Sequence, residues 1–254
     1  MRMTGNTILI TGGGSGIGRE LARRFHDQGN TVIITGRRRE ALDKTADGRP
    51  NIHATTLDVT DPAAIVAFAA RVTSEHPALN VLVNNAGIMR YETLDRARDL
   101  SDAEETVAAN LLGPIRMTDA LVEHLSQQPD AAIVTVSSGL AFVPLVAAPT
   151  YSASKAAIHS YTVALREALK GRIEVIELVP PAVQTELTPG QSNRAAYLPL
   201  AAFMDEVMAL FAQVPTPREI LVERVAFQRN AEAEHRFDEA VTTLNEMARR
   251  AREG

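Results

Sequence analysis

The turn Thr11-Gly12-Gly13-Gly14-Ser15-Gly16-Ile17-Gly18 constrains the fold more than any other part of the chain, because of what stands on either side of it. An apolar run from Thr7 to Ile10 leads in, and an amphipathic stretch from Gly16 to Gln28 leads out. A buried strand that feeds a helix through glycines is the opening of a βαβ unit, which implies a parallel sheet with helical crossovers. Glycines at 12, 16 and 18 let the backbone come close to a ligand. The helix N-terminus behind them offers amides and a positive dipole to an anion such as a dinucleotide pyrophosphate.

The same alternation runs on. Strands are predicted at Thr31 to Thr35, Ile52 to Leu57, Val81 to Asn84, Ala131 to Ser137 and Ile173 to Val179, all rich in Val, Ile and Leu as suits strands covered on both faces. Between them fit helices at Arg38 to Ala46, Pro62 to Glu75 with Asp61 as N-cap, Asp102 to Leu125 with a Ser101-x-x-Glu104 capping box, and Tyr151 to Leu169. Gly113-Pro114 should kink the long fourth helix. After Pro180 the pattern loosens into turn formers, a composition that suits a substrate lid at about 181–213, with its last part, Ala201 to Gln213, helical. Glu219 to Arg224 fits a last strand or a helix opened by Thr216-Pro217, and the strand is preferred. Phe237, Val241, Leu244 and Met247 then mark an amphipathic terminal helix from Glu234 to Arg252. With no repeat or linker, residues 1–254 are expected to form one α/β domain, a Rossmann-type doubly wound parallel sheet flanked by helices.

Composition narrows the function classes. A formal charge of −5, with 45% apolar and 22% charged residues, gives no reason to expect nucleic acid or an anionic membrane as partner. No cysteine means no disulfide, thiol nucleophile or Cys-ligated metal, and no apolar run approaches the ~20 residues of a membrane span. Six scattered histidines offer no His-x-x-x-His pair, so no metal site is expected. The N-terminus enters a strand without a basic-then-apolar signal pattern, and a cytoplasmic enzyme is the expectation.

Two further groups point to redox chemistry. Tyr151-Ser-Ala-Ser-Lys155 sets a cation one helical turn from a phenol, an arrangement in which the phenol can serve as proton donor and the cation stabilises its phenolate and lowers its pKa. Lysine is scarce in this chain, only Lys44, Lys155 and Lys170, so its use at 155 is informative. About 20 residues beyond the glycines, an acid would bond the ribose of NAD and an arginine the 2′-phosphate of NADP. Thr35-Gly36-Arg37-Arg38-Arg39 has no acid. Arg37 and Arg38 are placed for bidentate phosphate contact and Arg39 as a solvated helix start, which favours NADP(H).

Thr-Gly-x-x-x-Gly-x-Gly, Asn84-Asn85-Ala86-Gly87 and Tyr151-x-x-x-Lys155, in that order, resemble the short-chain dehydrogenase/reductase family from end to end. The resemblance implies that Gly12, Ser15, Gly16, Ile17 and Gly18 cradle the cofactor and that Asp58 and Val59 meet the adenine edge. Taken alone, Asp58 could instead cap the next helix. Asn85, Ala86 and Gly87 would pass close to the adenosine ribose. Tyr151 is implied as general acid for reduction and general base for oxidation, and Lys155 as holder of the nicotinamide ribose. Ser138, thirteen residues before the tyrosine, would polarise the substrate oxygen, with Ser137 as the competing candidate. Asn110 would bend its helix and anchor a water chain to the lysine. Pro181, Val183 and Thr185 fall at the nicotinamide end, where most of the family has Pro-Gly and this chain has Pro180-Pro181. Backbone contacts therefore cannot simply be copied there, although Thr185 can still meet the carboxamide.

Pro-Pro-Ala-Val-Gln-Thr at 180–185, Ser-Gly-Leu-Ala-Phe at 138–142 and Lys-Ala-Ala-Ile-His-Ser at 155–160 resemble the DltE-like branch of that family. Leu140, Phe142, Val143, Leu145, Val146, Leu187, Tyr197 and Leu198 either wall the site, favouring an apolar or aromatic ketone or secondary alcohol, or are ordinary packing. The expected activity is NADP(H)-dependent hydride transfer between nicotinamide and a carbonyl/alcohol pair. The rivals are a 3-oxoacyl-carrier-protein reductase, for which Arg90, Arg96 and Arg98 would supply part of a basic patch, and a non-catalytic NADPH-binding regulator. A homodimer or homotetramer is implied by the resemblance.

Overall fold

A computed structural model describes residues 1–253. Seven parallel strands form one sheet: β1 (Thr7–Thr11), β2 (Thr31–Gly36), β3 (Ile52–Thr56), β4 (Leu79–Asn84), β5 (Ala132–Val136), β6 (Glu174–Val179) and β7 (Glu219–Leu221). Their spatial order is β3-β2-β1-β4-β5-β6-β7. The winding reverses between β1 and β4, and the crevice beyond the carboxyl ends of those strands is where open α/β sheets place ligands. The helices are α1 (Gly16–Asp27), α2 (Arg39–Ala46), α3 (Pro62–Glu75), α4 (Ser101–Val107), α5 (Gly113–Leu125), α6 (Pro149–Ala168), α7 (Leu200–Phe211), α8 (Ala226–Arg229) and α9 (Phe237–Glu253).

The apolar strands bury alternate residues on opposite faces. Ile8, Ile10, Ile34, Val81 and Val83 pack on one side with Phe25 of α1 and Phe203 and Phe211 of α7. Leu9, Ile33, Leu82 and Ile133 pack on the other with Phe68 of α3 and Leu121 of α5. Phe25 meets Phe211 edge to face at 5.8 Å. Each such fully buried side chain contributes roughly 1.5–3 kcal/mol, which is why the sheet can serve as a rigid platform. Within 181–213, α7 belongs to this core, whereas Pro181 to Pro199 carries only an isolated bridge, Val183 to Leu198, and one 3₁₀ turn at Gln191–Asn193. Among the described residues no helix is long and apolar enough to cross a membrane.

Two local expectations change. Ser101 is the first residue of α4 rather than its cap, and Asp99 takes over by accepting from the Ser101 amide at 2.9 Å and its hydroxyl at 3.0 Å. The long fourth helix is not simply kinked at Gly113-Pro114: a π-turn at Ala108–Leu112 separates α4 from α5, and Pro114 falls in the first turn of α5 where its missing N–H is harmless. Asp61 caps α3 as expected, accepting from Ala63 and Ala64 at 2.9 and 3.0 Å.

Candidate active site

A cleft of ≈ 430 Å³ opens at the carboxyl ends of β1, β4 and β5. Every residue assigned to the site from sequence, except Asn110, lines it. Its size falls within the usual range for a small-molecule site, about 300–1,000 Å³.

The floor is the glycine turn. Gly12 has φ +70°, and a Cβ there would stand 2.9 Å from Ala86 Cα. A Cβ on Gly18 would stand 2.4 Å from the Gly12 carbonyl oxygen. The turn is held from β4: Asn85 Nδ2 donates to the Thr11 and Gly12 carbonyls at 2.9 and 3.3 Å, and Thr11 Oγ1 accepts from the Asn85 and Ala86 amides at 3.0 Å each. Asn85 is thus a clamp on the turn as well as part of the wall. Across the cleft Thr185 faces Gly16, where a Cβ would meet it at 3.4 Å. A bare backbone cradle at a helix N-terminus, with Ser137 Oγ buried and unpartnered at the wall, fits a dinucleotide.

At the end lined by Arg37 and Arg38 the structure adds a residue the sequence did not suggest. Arg37 and Arg38 both line the cleft, but Arg37 NH1 bonds Glu105 Oε1 of α4 at 3.3 Å. Glu105 also takes Arg90 at 3.4 Å, so one acid is shared by two cations. A position 68 residues away gives no local signal of this pairing. Asp58 turns one oxygen back to Thr60, accepting from its amide at 2.9 Å and its hydroxyl at 2.8 Å.

At the inner end β5 stops at Val136, which leaves Ser137 and Ser138 beyond the sheet edge. Ser138 Oγ accepts from the Leu140 amide at 3.1 Å and is bonded to the Tyr151 phenol. Gly139 N donates to the Pro180 carbonyl at 2.9 Å, which ties the Ser138 turn to the exit of β6. Lys155 Nζ donates to the Val136 carbonyl at 2.8 Å and lies 5.6 Å from the centre of the Tyr151 ring. Burial pushes the phenol up to about 12, against the Ser138 hydrogen bond, and pushes the Lys155 ammonium down to about 8. The lowering expected for the phenol from Lys155 together with a nicotinamide cation is not seen in the chain alone, where desolvation by burial is the largest cause.

Asn110 stands behind this group, 1% exposed, within the π-turn. It accepts from the Ile88 amide at 2.8 Å and donates to the Ile88 carbonyl at 2.9 Å and to Ser154 Oγ at 3.2 Å. A second support comes from Glu92. The N-cap position of α6, Ala148, has no capping side chain, and Glu92 supplies the acceptor instead, taking the Thr150 amide at 3.0 Å and its hydroxyl at 2.8 Å while also pairing with Arg98. Burial works against its charge, but the bonds from Arg98 and Thr150 prevail and hold it below the usual carboxylate range. A depressed carboxylate stabilises the fold above its unfolded pKa, and that contribution is lost as pH falls through the folded value. Glu92→Ala should therefore cost about 1–2 kcal/mol at neutral pH and less in acid, read by urea unfolding at both pH values. An equal loss at both would remove the charge from the explanation.

Of the apolar residues weighed as pocket walls, Leu140, Leu145 and Leu187 do gather with Met89 around Tyr151. The others lie elsewhere. Phe142 packs on His159, Val143 on Ala231 and Ala240, and Leu198 on the main core, while Val146 is largely exposed and Tyr197 meets Arg194. Met89 and Gln191 were missed. Gln191 spans the loop with bonds from Nε2 to the Val183 carbonyl at 2.8 Å and Thr185 Oγ1 at 3.2 Å.

Residues 6–195 match the family model for short chain dehydrogenases. The uncharacterized oxidoreductase DltE of Bacillus subtilis is 40% identical over 236 residues, 91% of this chain and 93% of that one. A short chain dehydrogenase from Burkholderia cenocepacia, solved in complex with NADP, superposes with TM-score 0.81 at 24% identity, over 96% of this chain and 99% of that one. A 3-ketoacyl-(acyl-carrier-protein) reductase from Brucella melitensis, solved with NADH, gives TM-score 0.76 at 26% identity over 85% and 93%. The chain therefore belongs to the short-chain dehydrogenase family of oxidoreductases.

Proposed function

We propose that this protein is an NADP(H)-dependent reductase of a carbonyl/secondary alcohol pair, with an apolar or aromatic ketone as the substrate class. The observation that carries the reading is the convergence of the Ser138 hydroxyl, the Tyr151 phenol and the Lys155 ammonium at the inner end of a cleft whose outer end is lined by Arg37 and Arg38. The nicotinamide supplies the hydride, and the chain's own groups manage the charge left on the carbonyl oxygen. Ser138 donates a hydrogen bond to that oxygen, and Tyr151, protonated through the neutral range, gives it a proton. Lys155, still largely cationic at pH 7, holds the ribose hydroxyls and offsets the phenolate as it forms. Asn110 keeps the π-turn and α6 in register behind them. Met89, Leu140, Leu145 and Leu187 offer the substrate an apolar wall. Pro181 to Pro199, with little regular structure of its own, serves as the lid of a single domain, and a homo-oligomer in the cytoplasm completes the reading.

Arg37 and Arg38 give the 2′-phosphate its charge complement, with Arg37 exchanging Glu105 for the phosphate. Arg37→Ala should weaken NADPH binding about tenfold or more and leave NADH nearly untouched. An unchanged NADPH/NADH ratio would remove the phosphate role.

The carrier-protein reading needs free cations near the cleft. Arg90 pairs with Asp102 and Glu105, Arg96 with Asp95 and Arg98 with Glu92, so that patch is largely neutralised within the chain. The test is NADPH oxidation, followed by nicotinamide absorbance, against aryl ketones, diketones, aldehydes and acetoacetyl thioesters with NADH in parallel. Faster turnover of aryl ketones supports the proposal, and preference for the thioesters supports the rival. NADPH binding without turnover of any member would favour the regulator.

A further inference from the structure

Strand β6, Glu174-Val-Ile-Glu177-Leu-Val, carries a buried acid that the reaction does not use. Glu177 is 0% exposed, in an interior strand. A carboxylate in such a place needs cations or hydrogen-bond donors around it. His159 of α6 provides one, its Nδ1 lying 3.1 and 2.9 Å from the two carboxylate oxygens. His159 is four residues beyond Lys155, so both side chains leave α6 on the same face. The sheet register closes the arrangement. Glu177 pairs with Thr135 of β5, and the carbonyl of the next residue, Val136, accepts from Lys155 Nζ.

On the other side Glu177 pairs with Glu219 of β7, whose carboxylate is forked by Arg229 of α8 at 2.8 and 3.1 Å. His159, Glu177 and Glu219 bring ligand-type atoms within 4.8 Å of one another. Arg229 forks Glu219 and His159 Nδ1 meets both Glu177 oxygens, so the group forms an internal ion network. The charged and titratable groups facing Glu177 are His159 and Lys155 on α6, Glu219 on β7 and Arg229 on α8, and those facing Lys155 are Tyr151 and Glu177. Burial depresses the Lys155 ammonium to about 8, and the charge of Glu177 opposes that fall. His159 is held above its ordinary range, first by the Glu177 hydrogen bond.

We propose that Glu177 is a positioning residue of the reductase, the buried counter-charge that keeps Lys155 cationic, and that His159 sets how much of that charge Lys155 receives. A neutral His159 leaves the carboxylate charge to Lys155, and a protonated one cancels part of it. The inference rests on the reading of Lys155 as the cation that holds the cofactor ribose.

The test is NADPH affinity as a function of pH, from nicotinamide fluorescence titrations on wild type, Glu177→Gln and His159→Asn. Wild-type affinity should weaken as pH rises past about 8, where Lys155 loses its proton. In Glu177→Gln the weakening should begin about one pH unit lower. His159→Asn, which keeps the carboxylate and removes the imidazolium, should hold the midpoint at or above that of wild type. An unshifted midpoint in Glu177→Gln, or an equal downward shift in both variants, overturns the proposal, the second because lost packing would then explain both. If Glu177→Gln does not fold, His159→Asn decides alone, and a lowered midpoint there refutes the idea. Wild-type affinity that shows no alkaline loss would instead refute the Lys155 reading and take the inference with it.

Discussion

Tyr151→Phe is expected to lower turnover about 10²–10⁴-fold while leaving NADPH affinity and fold stability close to wild type. The ring, 7% exposed, packs with Met89, Leu145 and Ala148, and phenylalanine keeps all of that packing. The hydroxyl is the only loss. Its partner Ser138 retains the Leu140 amide, so the net cost to stability should stay within about 1 kcal/mol. Single-turnover kinetics separate the hydride step from binding, and nicotinamide fluorescence gives the affinity. Surviving turnover would remove Tyr151 as proton donor, and affinity falling in step with turnover would make its role structural. The pH sign is also defined. A phenol raised to about 12 favours the folded state below its ordinary pKa, and that stabilisation is lost as pH rises through the folded value. Lys155 runs the other way: a buried ammonium lowered to about 8 is a cost at neutral pH that disappears above its ordinary range.

The second large effect belongs to Gly18→Ala, which should abolish measurable NADPH binding and destabilise the fold by about 1–3 kcal/mol. The new Cβ would lie 2.4 Å from the Gly12 carbonyl oxygen and 2.4 Å from Asn85 Nδ2. Both are parts of the same clamp, since Asn85 Nδ2 bonds that carbonyl, so neither can move without opening the turn. Gly36→Ala is the matched control in the same cleft, because its Cβ would meet only Leu42 Cδ2 at an ordinary 3.6 Å. Urea midpoints and NADPH titrations on the two variants check the argument. If Gly18→Ala behaves like Gly36→Ala, the turn is more compliant than its contacts indicate.

Much of this was legible in the chain itself, for a local reason. Whether a residue is in a strand or a helix depends on neighbours two to four positions away, and so does the chemistry of a glycine turn. Thr7 to Gln28 therefore read as strand, turn and helix, and the repeated Val/Ile/Leu runs read as a doubly covered sheet. Tyr151 and Lys155 also form a local pair, one helical turn apart. The capping box at Ser101 failed at the same range, because Asp99 takes the Ser101 amide and the Leu100 carbonyl takes the Glu104 amide.

What the tertiary structure alone decided is every pairing between groups far apart in sequence. Glu105 reaches Arg37, Glu92 caps the helix of Tyr151, and Glu177 is gathered with His159, Glu219 and Arg229. These contacts follow no period or spacing. They are set by strand order, register and the π-turn, which bring elements from different parts of the chain to one edge of the sheet. The apolar wall divides in the same way. Leu145 and Val146 are adjacent and equally apolar, yet one packs against Tyr151 and the other faces solvent, since only packing fixes the direction in which each side chain leaves an irregular loop.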